Sequence, residues 1–275
     1  MTNDAASKPT SSSVGDFLKR PLPYVFSRFV KLLANIFKQF FRLHLWIFPD
    51  KRFQIPAHGP PLIRTRKPSH IPRVIWQTNY TDKVSLAVYF NRLVNRLLAP
   101  TFEFRFVSDE EREEFVRANY PDNVLATFQS LQIGVAQADY WRILVLLKEG
   151  GVYMDIDANL VWPLEWTLDG SLSELFITDG GGHVTNSFLA TIPGNRIFEE
   201  TEAQIRNNIA DPSPSSIFMM TGPGALWPVL EKADYSVTSY RTVSHQGQFI
   251  NTALQYPDKS KKKWWEEEKE RPVRK

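Results

Sequence analysis

The sequence predicts an α/β layered domain with mostly parallel strands, preceded by an amphipathic helix. Three observations carry this. Strand-like and helix-like patterns alternate between residues 74 and 157, as they do where parallel strands are joined by crossover helices. A double glycine, Gly150-Gly151, separates the last of these helices from a short strand. That strand ends in Asp155-Ile156-Asp157, which puts two carboxylates at the edge where open α/β sheets collect ligands.

Taken in order, residues 1–23 begin with MTNDAASKPTSSSVG, small and polar with no apolar run, and are expected to be a disordered tail that is not a secretion signal. Residues 24–48 are different. On a helical wheel Arg28, Lys31, Asn35, Lys38, Gln39 and Arg42 share one face, while Phe26, Phe29, Val30, Leu33, Ile36, Phe37, Phe40, Phe41 and Leu43 fill the rest. Charge interrupts the run too often for a spanning helix but suits one lying in the headgroup plane, with Trp46 near its end. The alternative is an amphipathic helix that packs on the core. Residues 49–70 hold Pro49, Pro56, Pro60, Pro61 and Pro68 and read as a semi-rigid connector. Its Arg64, Arg66 and Lys67 either reach lipid phosphates or are simply solvated.

The main domain is expected over residues 71–258. Val74 to Gln77 reads as a buried strand, residues 84–98 as a helix, and Phe102 to Val107 as an alternating strand. Ser108 caps the next helix, with Glu111 at the capping-box position. Ala136, Tyr140, Ile143, Leu144 and Leu147 share one face of a helix that stops at Gly150 and Gly151, which tolerate the left-handed backbone. In the strand that follows, a period of two sends Asp155 and Asp157 to one side and Ile156 to the other. Leu175 to Thr178 and Asn186 to Thr191 read as strands, joined by the loop Asp179-Gly180-Gly181-Gly182-His183. Residues 195–209 form a helix, and Thr221-Gly222-Pro223-Gly224 a turn opening another at 225–232. Residues 259–275 make a basic, Trp-containing tail, whose Lys261-Lys262-Lys263-Trp264-Trp265 either covers the site or touches a membrane.

Charge is distributed unevenly. Residues 1–72 carry 12 Lys and Arg against 3 Asp and Glu, whereas residues 73–258 carry 13 against 23. A basic end suits nucleic acid or an anionic membrane surface. The aromatic and aliphatic content of residues 24–48 favours the membrane, and no nucleic-acid partner is expected. With no cysteine, disulfides and thiolate metal sites are excluded and secretion is not suggested. A Ser-His-Asp set, a P-loop and an HExxH helix are likewise absent from the sequence.

Hard divalent cations take carboxylate oxygens, and Mg²⁺ or Mn²⁺ is usually held by one or two carboxylates together with substrate phosphates. An Asp-X-Asp alone is common by chance, and Asp139 with Arg142, three apart on a helix, is by itself an ordinary ion pair. Their company is more specific. Ala138-Asp139-Tyr140-Trp141-Arg142, then LKEGGVYMDID over residues 147–157, and upstream Ile71-Pro72-Arg73-Val74-Ile75-Trp76-Gln77-Thr78 form a long ordered string. It resembles the signature of the glycosyltransferases with a sugar-binding region containing DXD, glycosyltransferase family 32. That group includes the yeast initiating α-1,6-mannosyltransferase, bacterial capsule and lipopolysaccharide transferases and, distantly, the clostridial glucosylating toxins.

The resemblance implies a GT-A fold, Rossmann-like with a mostly parallel sheet flanked by helices, and a UDP- or GDP-sugar donor with Mn²⁺ or Mg²⁺. It implies that Asp155 and Asp157 are the catalytic pair, with Asp157 binding the metal most directly and Asp155 touching donor and metal. By the same resemblance Asp139 and Arg142 hold the donor sugar's hydroxyls, Tyr153 lines the donor pocket and Trp76 stacks on the base, although a core tryptophan is an equally plain reading of Trp76. Asp179, His183, Asn186 and His245 are candidates to face the acceptor. Family members retain the anomeric configuration, and no nucleophile stands out in this sequence.

The leading expectation is therefore a retaining transferase that moves a hexose to a glycan or lipid-linked acceptor in surface polysaccharide or lipopolysaccharide synthesis. It is expected in the cytoplasm, peripherally attached to the inner face of the cell membrane. The alternatives are a toxin-like transferase that modifies a protein, and a membrane-bound scaffold without catalysis.

Overall fold

The computed structural model describes residues 19–168, 170–211, 213, 216–258 and 264–275. In chain order the elements are α1 (Pro21–Ile47), β1 (Phe53–Gln54), β2 (His58–Gly59), β3 (Val74–Thr78), β4 (Lys83–Val84), α2 (Leu86–Leu98), β5 (Glu103–Val107), α3 (Asp109–Asn119), α4 (Asp122–Ser130), α5 (Gly134–Glu149), β6 (Gly151–Met154) and β7 (Ala158–Leu160). There follow α6 (Leu164–Thr167), β8 (Glu174–Thr178), β9 (Val184–Thr191), α7 (Arg196–Ala210), α8 (Ile217–Met220), α9 (Pro223–Leu230), β10 (Val237–Ser239), β11 (Ser244–Gln246), α10 (Thr252–Gln255) and α11 (Trp264–Glu270).

The central sheet has seven strands in the order β10-β8-β9-β6-β3-β5-β2. Five of them, β10, β8, β6, β3 and β5, run the same way, while β9 and the edge strand β2 oppose them. This is the mixed α/β architecture, mostly parallel, that the alternating pattern implies. One face of the sheet, with Trp76, Tyr153, Phe176 and Leu189, packs under Tyr140, Trp141, Leu144 and Phe198. The other, with Ile75, Val152, Met154 and Phe188, packs on Leu160, Leu164 and Leu168.

The central helix α5 is an interior helix: every residue from Ala138 to Leu146 is buried, so the one-sided apolar face read from the sequence understates it. Its stop is as expected, because Gly150 and Gly151 adopt φ of 66° and 98°. A Cβ at Gly151 would lie 2.7 Å from the Val74 carbonyl oxygen, so the reversal into β6 has no room for a side chain. The capping box at Ser108 and Glu111 forms in both directions.

Three expected boundaries change. Residues 1–18 of the expected tail lie outside the described residues, but helix α1 begins at Pro21, a residue whose missing N–H costs nothing in a first turn. The proline-rich connector is tied to the domain. Its β2 adds to the sheet edge on β5, Ile55 is buried, and Arg96 Nη2 donates to the Pro60 carbonyl at 2.8 Å. At the other end, residues 259–263 lie outside the described residues. Beyond them the chain is docked and not a free tail: Val273 is buried, the Gln132 N–H donates to its carbonyl at 2.8 Å, and Arg274 Nη1 donates to the carbonyls of Ile209 and Asp211 at 2.6 Å.

Helix α1 has two apolar faces. Val30, Ala34 and Phe41 are buried with Val88, Phe249, Ile250 and Ile156, and Phe37 stacks on Phe90 at 4.8 Å. Leu22, Val25, Phe29, Leu32, Ile36, Phe40 and Leu43, spaced three and four apart, are each more than half exposed, and Trp46 is 79% exposed. Arg28, Lys31 and Arg42 are exposed on the same helix. The helix thus packs on the core and still presents an outward apolar stripe. Among the described residues no helix is long and apolar enough to cross a membrane.

Candidate functional site

A cavity of about 1090 Å³ opens over the carboxyl ends of β3, β5 and β6, the place where open α/β sheets take ligands. Thr78, Asn79 and Tyr80 follow β3 into it, Asp109 and Arg112 enter from the start of α3, and Asp139 and Arg142 from α5. Tyr153, Asp155 and Asp157 form the floor, and Asn186 and Gln246 close the sides.

Strand β6 ends at Met154, one residue before the first aspartate, and residues 155–157 turn, with the Ala158 N–H donating to the Asp155 carbonyl at 2.9 Å. The turn keeps the separation expected of a strand. Ile156 is buried in the cluster beneath α1, while both carboxylates stay together on the cavity side. Gln246 Nε2 donates to Asp155 Oδ2 at 3.1 Å and to Asp157 Oδ1 at 3.2 Å, which fixes how closely they approach. From below, Asn91 Nδ2 donates to the carbonyls of Ile156 and Ala158 at 3.1 and 2.9 Å, and Asn95 Nδ2 to Ala158 at 2.9 Å.

Arg142 is the cation at the centre. Its guanidinium lies 2.7 Å from Asp139 Oδ1 and 3.4 Å from Asp155 Oδ1, donates to the Asn186 carbonyl at 2.6 Å, and covers the Tyr153 ring at 4.4 Å. The Asn186 amide donates to Asp139 Oδ1 at 3.0 Å, and the Tyr153 hydroxyl to Asp155 Oδ1 at 2.9 Å. Burial works against the Arg142 charge, yet Tyr153, Asp155 and Asp139 hold it above the ordinary guanidinium range. Burial pushes the Asp139 carboxyl up to about 6 although Arg142 pulls it down. Asp157 is pushed up to about 7, by burial first and by the Asp155 charge second. Asp155 is raised by burial, with Arg142 opposing.

Among the described residues no three His, Asp or Glu side chains gather into a metal cage. The aspartate pair nevertheless suits Mg²⁺ or Mn²⁺, which takes one or two carboxylates and fills the remaining positions with water and phosphate oxygens. Burial disfavours both as anions, the Asp155 charge adds to this at Asp157, and a cation relieves such a pair.

The other expected site residues divide. Asn186 lies in the cavity, on the Asp139–Arg142 pair. Trp76 does not: it is 5% exposed, its indole N–H donates to the Gly150 carbonyl at 3.0 Å, and its ring meets Trp141 edge-on, so it packs the helix-to-strand reversal and has no face for a base. Tyr80 and Tyr256, with ring centroids 5.8 Å apart, are the aromatic pair on the cavity wall. Asp179 and His183 are also outside the cavity. The Asp179 carboxylate accepts the N–H groups of Gly181 and His183, shaping its own loop, and the His183 ring stacks on Trp227 at 5.2 Å. His245 points away from its neighbour Gln246: Nε2 lies 3.0 Å from Ser27 Oγ of α1, and burial, with Lys31, Arg28 and Arg241 nearby, lowers its pKa to about 4.

Sequence reasoning missed Gln246, Asn91 and Asn95. The asparagines left a signal, two amides at i and i+4 on the buried side of a helix. Gln246 left none, since it reaches the aspartates from 89 residues away in the chain.

Fold and site together define an α/β domain with a paired-aspartate cleft at the carboxyl edge of its sheet. Comparison with known proteins shows what part of this chain is similar to. Residues 84–174 match the family described as "Glycosyltransferase sugar-binding region containing DXD motif". Over 109 residues the chain is 28% identical to the initiation-specific alpha-1,6-mannosyltransferase of Schizosaccharomyces pombe, covering 38% of this chain and 25% of that protein. It is 33% identical over 91 residues to the mannosyl phosphorylinositol ceramide synthase SUR1 of Saccharomyces cerevisiae, covering 33% and 24%. It is 30% identical over 97 residues to inositol phosphoceramide mannosyltransferase 3 of Schizosaccharomyces pombe, covering 35% and 27%. The matched stretch spans about a quarter of the length of these relatives.

Proposed function

We propose that the protein is a metal-dependent glycosyltransferase that moves a hexose from a UDP- or GDP-sugar to a glycan or lipid-linked acceptor. The observation that carries this reading is the convergence of Asp155 and Asp157 beside the Asp139–Arg142 pair in one cavity. Asp155 and Asp157 would hold a Mn²⁺ or Mg²⁺ ion, which when bound would supply positive charge where the departing nucleoside diphosphate develops negative charge. By the resemblance, Asp157 would be its main protein ligand. Arg142, held by Asp139 and the Asn186 carbonyl, presents a fixed fork to donor hydroxyls or phosphate. Tyr80 and Tyr256 flank the base in place of Trp76. Retention of anomeric configuration is carried by the resemblance, with no nucleophile assigned.

Two of the similar proteins bear names that include a ceramide lipid, which supports an acceptor held in a membrane. The outward stripe of α1, with Trp46 at its end and Arg28, Lys31 and Arg42 alongside, fits an anionic bilayer surface by both apolar burial and charge. The location we propose is the inner face of the cell membrane. Thermal shift and release of free nucleoside diphosphate, measured over a panel of UDP- and GDP-sugars with Mn²⁺, test the reading. It expects one donor to stabilise the protein only with metal present, and a panel without any metal-dependent response contradicts it.

A further inference from the structure

The inward face of α1 does more than fill a core. Lys38 Nζ donates to the Gly247 carbonyl at 3.0 Å, Ser27 Oγ lies 3.0 Å from His245 Nε2, and Gln248 Nε2 donates to the Ser27 carbonyl at 3.4 Å. These three partners surround Gln246, whose amide bridges the two aspartates. Gly247 turns with φ of 69°, and its N–H donates to the Asp157 carbonyl at 3.1 Å, tying the same turn to the aspartate segment. A second route runs beneath, where Ile156 shares the buried cluster of Val30, Ala34 and Phe41. An anchoring helix needs only apolar contact. Lys38, unlike the exposed Arg28, Lys31 and Arg42, is partly buried and spends its ammonium on a backbone carbonyl of this turn.

We propose that Lys38 and Ser27 are positioning residues for the cation site: they hold the 245–248 turn so that Gln246 stands against both aspartates, and the seating of α1 is thereby linked to cation binding. The proposal rests on the reading that Asp155 and Asp157 hold a divalent cation with a nucleoside diphosphate. A carboxamide donates through its NH₂ or, turned about its last bond, offers a carbonyl oxygen, so Gln246 placed there serves the pair with or without a cation. Coupling is reciprocal: if the seated α1 favours the cation, a bound cation must favour the seated α1 by the same free energy.

The test uses the full chain, with Mn²⁺ and UDP or GDP as probes and free Mn²⁺ read by electron paramagnetic resonance. Lys38→Met is expected to weaken Mn²⁺ binding by about fivefold or more, the lower end of ordinary coupling between sites, while Lys38→Arg stays within about twofold of the wild type. Lys51→Met, exposed beyond the end of α1, is expected to leave binding unchanged, and Ser27→Ala to fall between. The metal-free melting temperature of Lys38→Met should stay close to that of the wild type. Equal Mn²⁺ affinity in Lys38→Met and Lys51→Met overturns the proposal, and so does an affinity loss that appears only with a collapsed metal-free melt. Failure of the underlying reading shows separately, in the wild type, as Mn²⁺ binding that is absent or is indifferent to Asp157→Asn.

Discussion

At the scale of single residues, burial and the neighbouring Asp155 charge lift the Asp157 carboxyl to about 7, and burial lifts Asp139 to about 6. A carboxyl raised above its unfolded value binds its proton more tightly in the native state. Its contribution to stability is therefore fully present below the unfolded value and is lost as pH rises through about 6 to 7. In chelator, the melting temperature should fall between pH 5 and pH 8. Asp157→Asn should flatten that slope, and calorimetry that finds the variant and wild type equally pH-dependent removes the assignment. Arg142→Lys keeps the charge but loses the fork that reaches Asp139, Asp155 and the Asn186 carbonyl. Losing one or two charge-assisted hydrogen bonds at about 1.5–3 kcal/mol each predicts a fall in kcat/KM on the order of tenfold or more, and unchanged steady-state kinetics contradict it. Trp76→Phe leaves the Gly150 carbonyl without its donor, so it should cost about 1–3 kcal/mol of stability with donor KM unchanged, a split that melting and kinetics resolve. The contrast between Trp76 and Asp157 shows what was legible residue by residue. Alternation and a strand end predict where a short carboxylate points, but a tryptophan in the same sheet faces either a cleft or a helix, depending on what α5 places opposite it.

At the scale of elements, α1 holds two roles that a wheel of its sequence could not separate. Its nine apolar side chains named at the outset cover most of the circumference, and only the partners decide which are inward. Residues Val30, Phe41 and Ile55 are buried, each worth about 1.5–3 kcal/mol. That sum rivals the whole stability of an ordinary domain, about 5–15 kcal/mol. Deleting residues 1–55 should therefore abolish cooperative unfolding, and a truncated domain that melts like the full chain would show that α1 is dispensable. Ile36→Glu with Trp46→Glu alters only the outer stripe. The pair should leave the melt intact while reducing sedimentation with anionic vesicles severalfold, and wild-type binding should weaken in high salt because exposed charges are screened within about 10 Å at 0.1 M. The strands, the capping box and the double-glycine stop were legible because local rules decide them. The docking of the proline-rich connector and of residues 264–275 was not, since sheet-edge pairing and carbonyl capture by Arg274 depend on surfaces distant in sequence.

For the whole molecule, the site lies where three layers meet: the parallel strands bring the aspartates, the interior helix α5 brings Asp139 and Arg142, and the late strand β11, held by α1, brings Gln246. The first two layers fall within the ordered string that resembles the DXD glycosyltransferases, and they were readable for that reason. The third depends on a contact between the two ends of the chain that no local pattern announces. The central claim, that Asp155 and Asp157 make this a metal-dependent sugar transferase, is tested most directly by nucleoside diphosphate release from the donor found to bind. Release is to be measured in Mn²⁺ and in chelator, for the wild type and for Asp157→Asn. The account predicts turnover that needs Mn²⁺ and falls by orders of magnitude in Asp157→Asn while the circular dichroism spectrum is kept. Equal turnover in chelator, or near wild-type turnover in a folded Asp157→Asn protein, would contradict it.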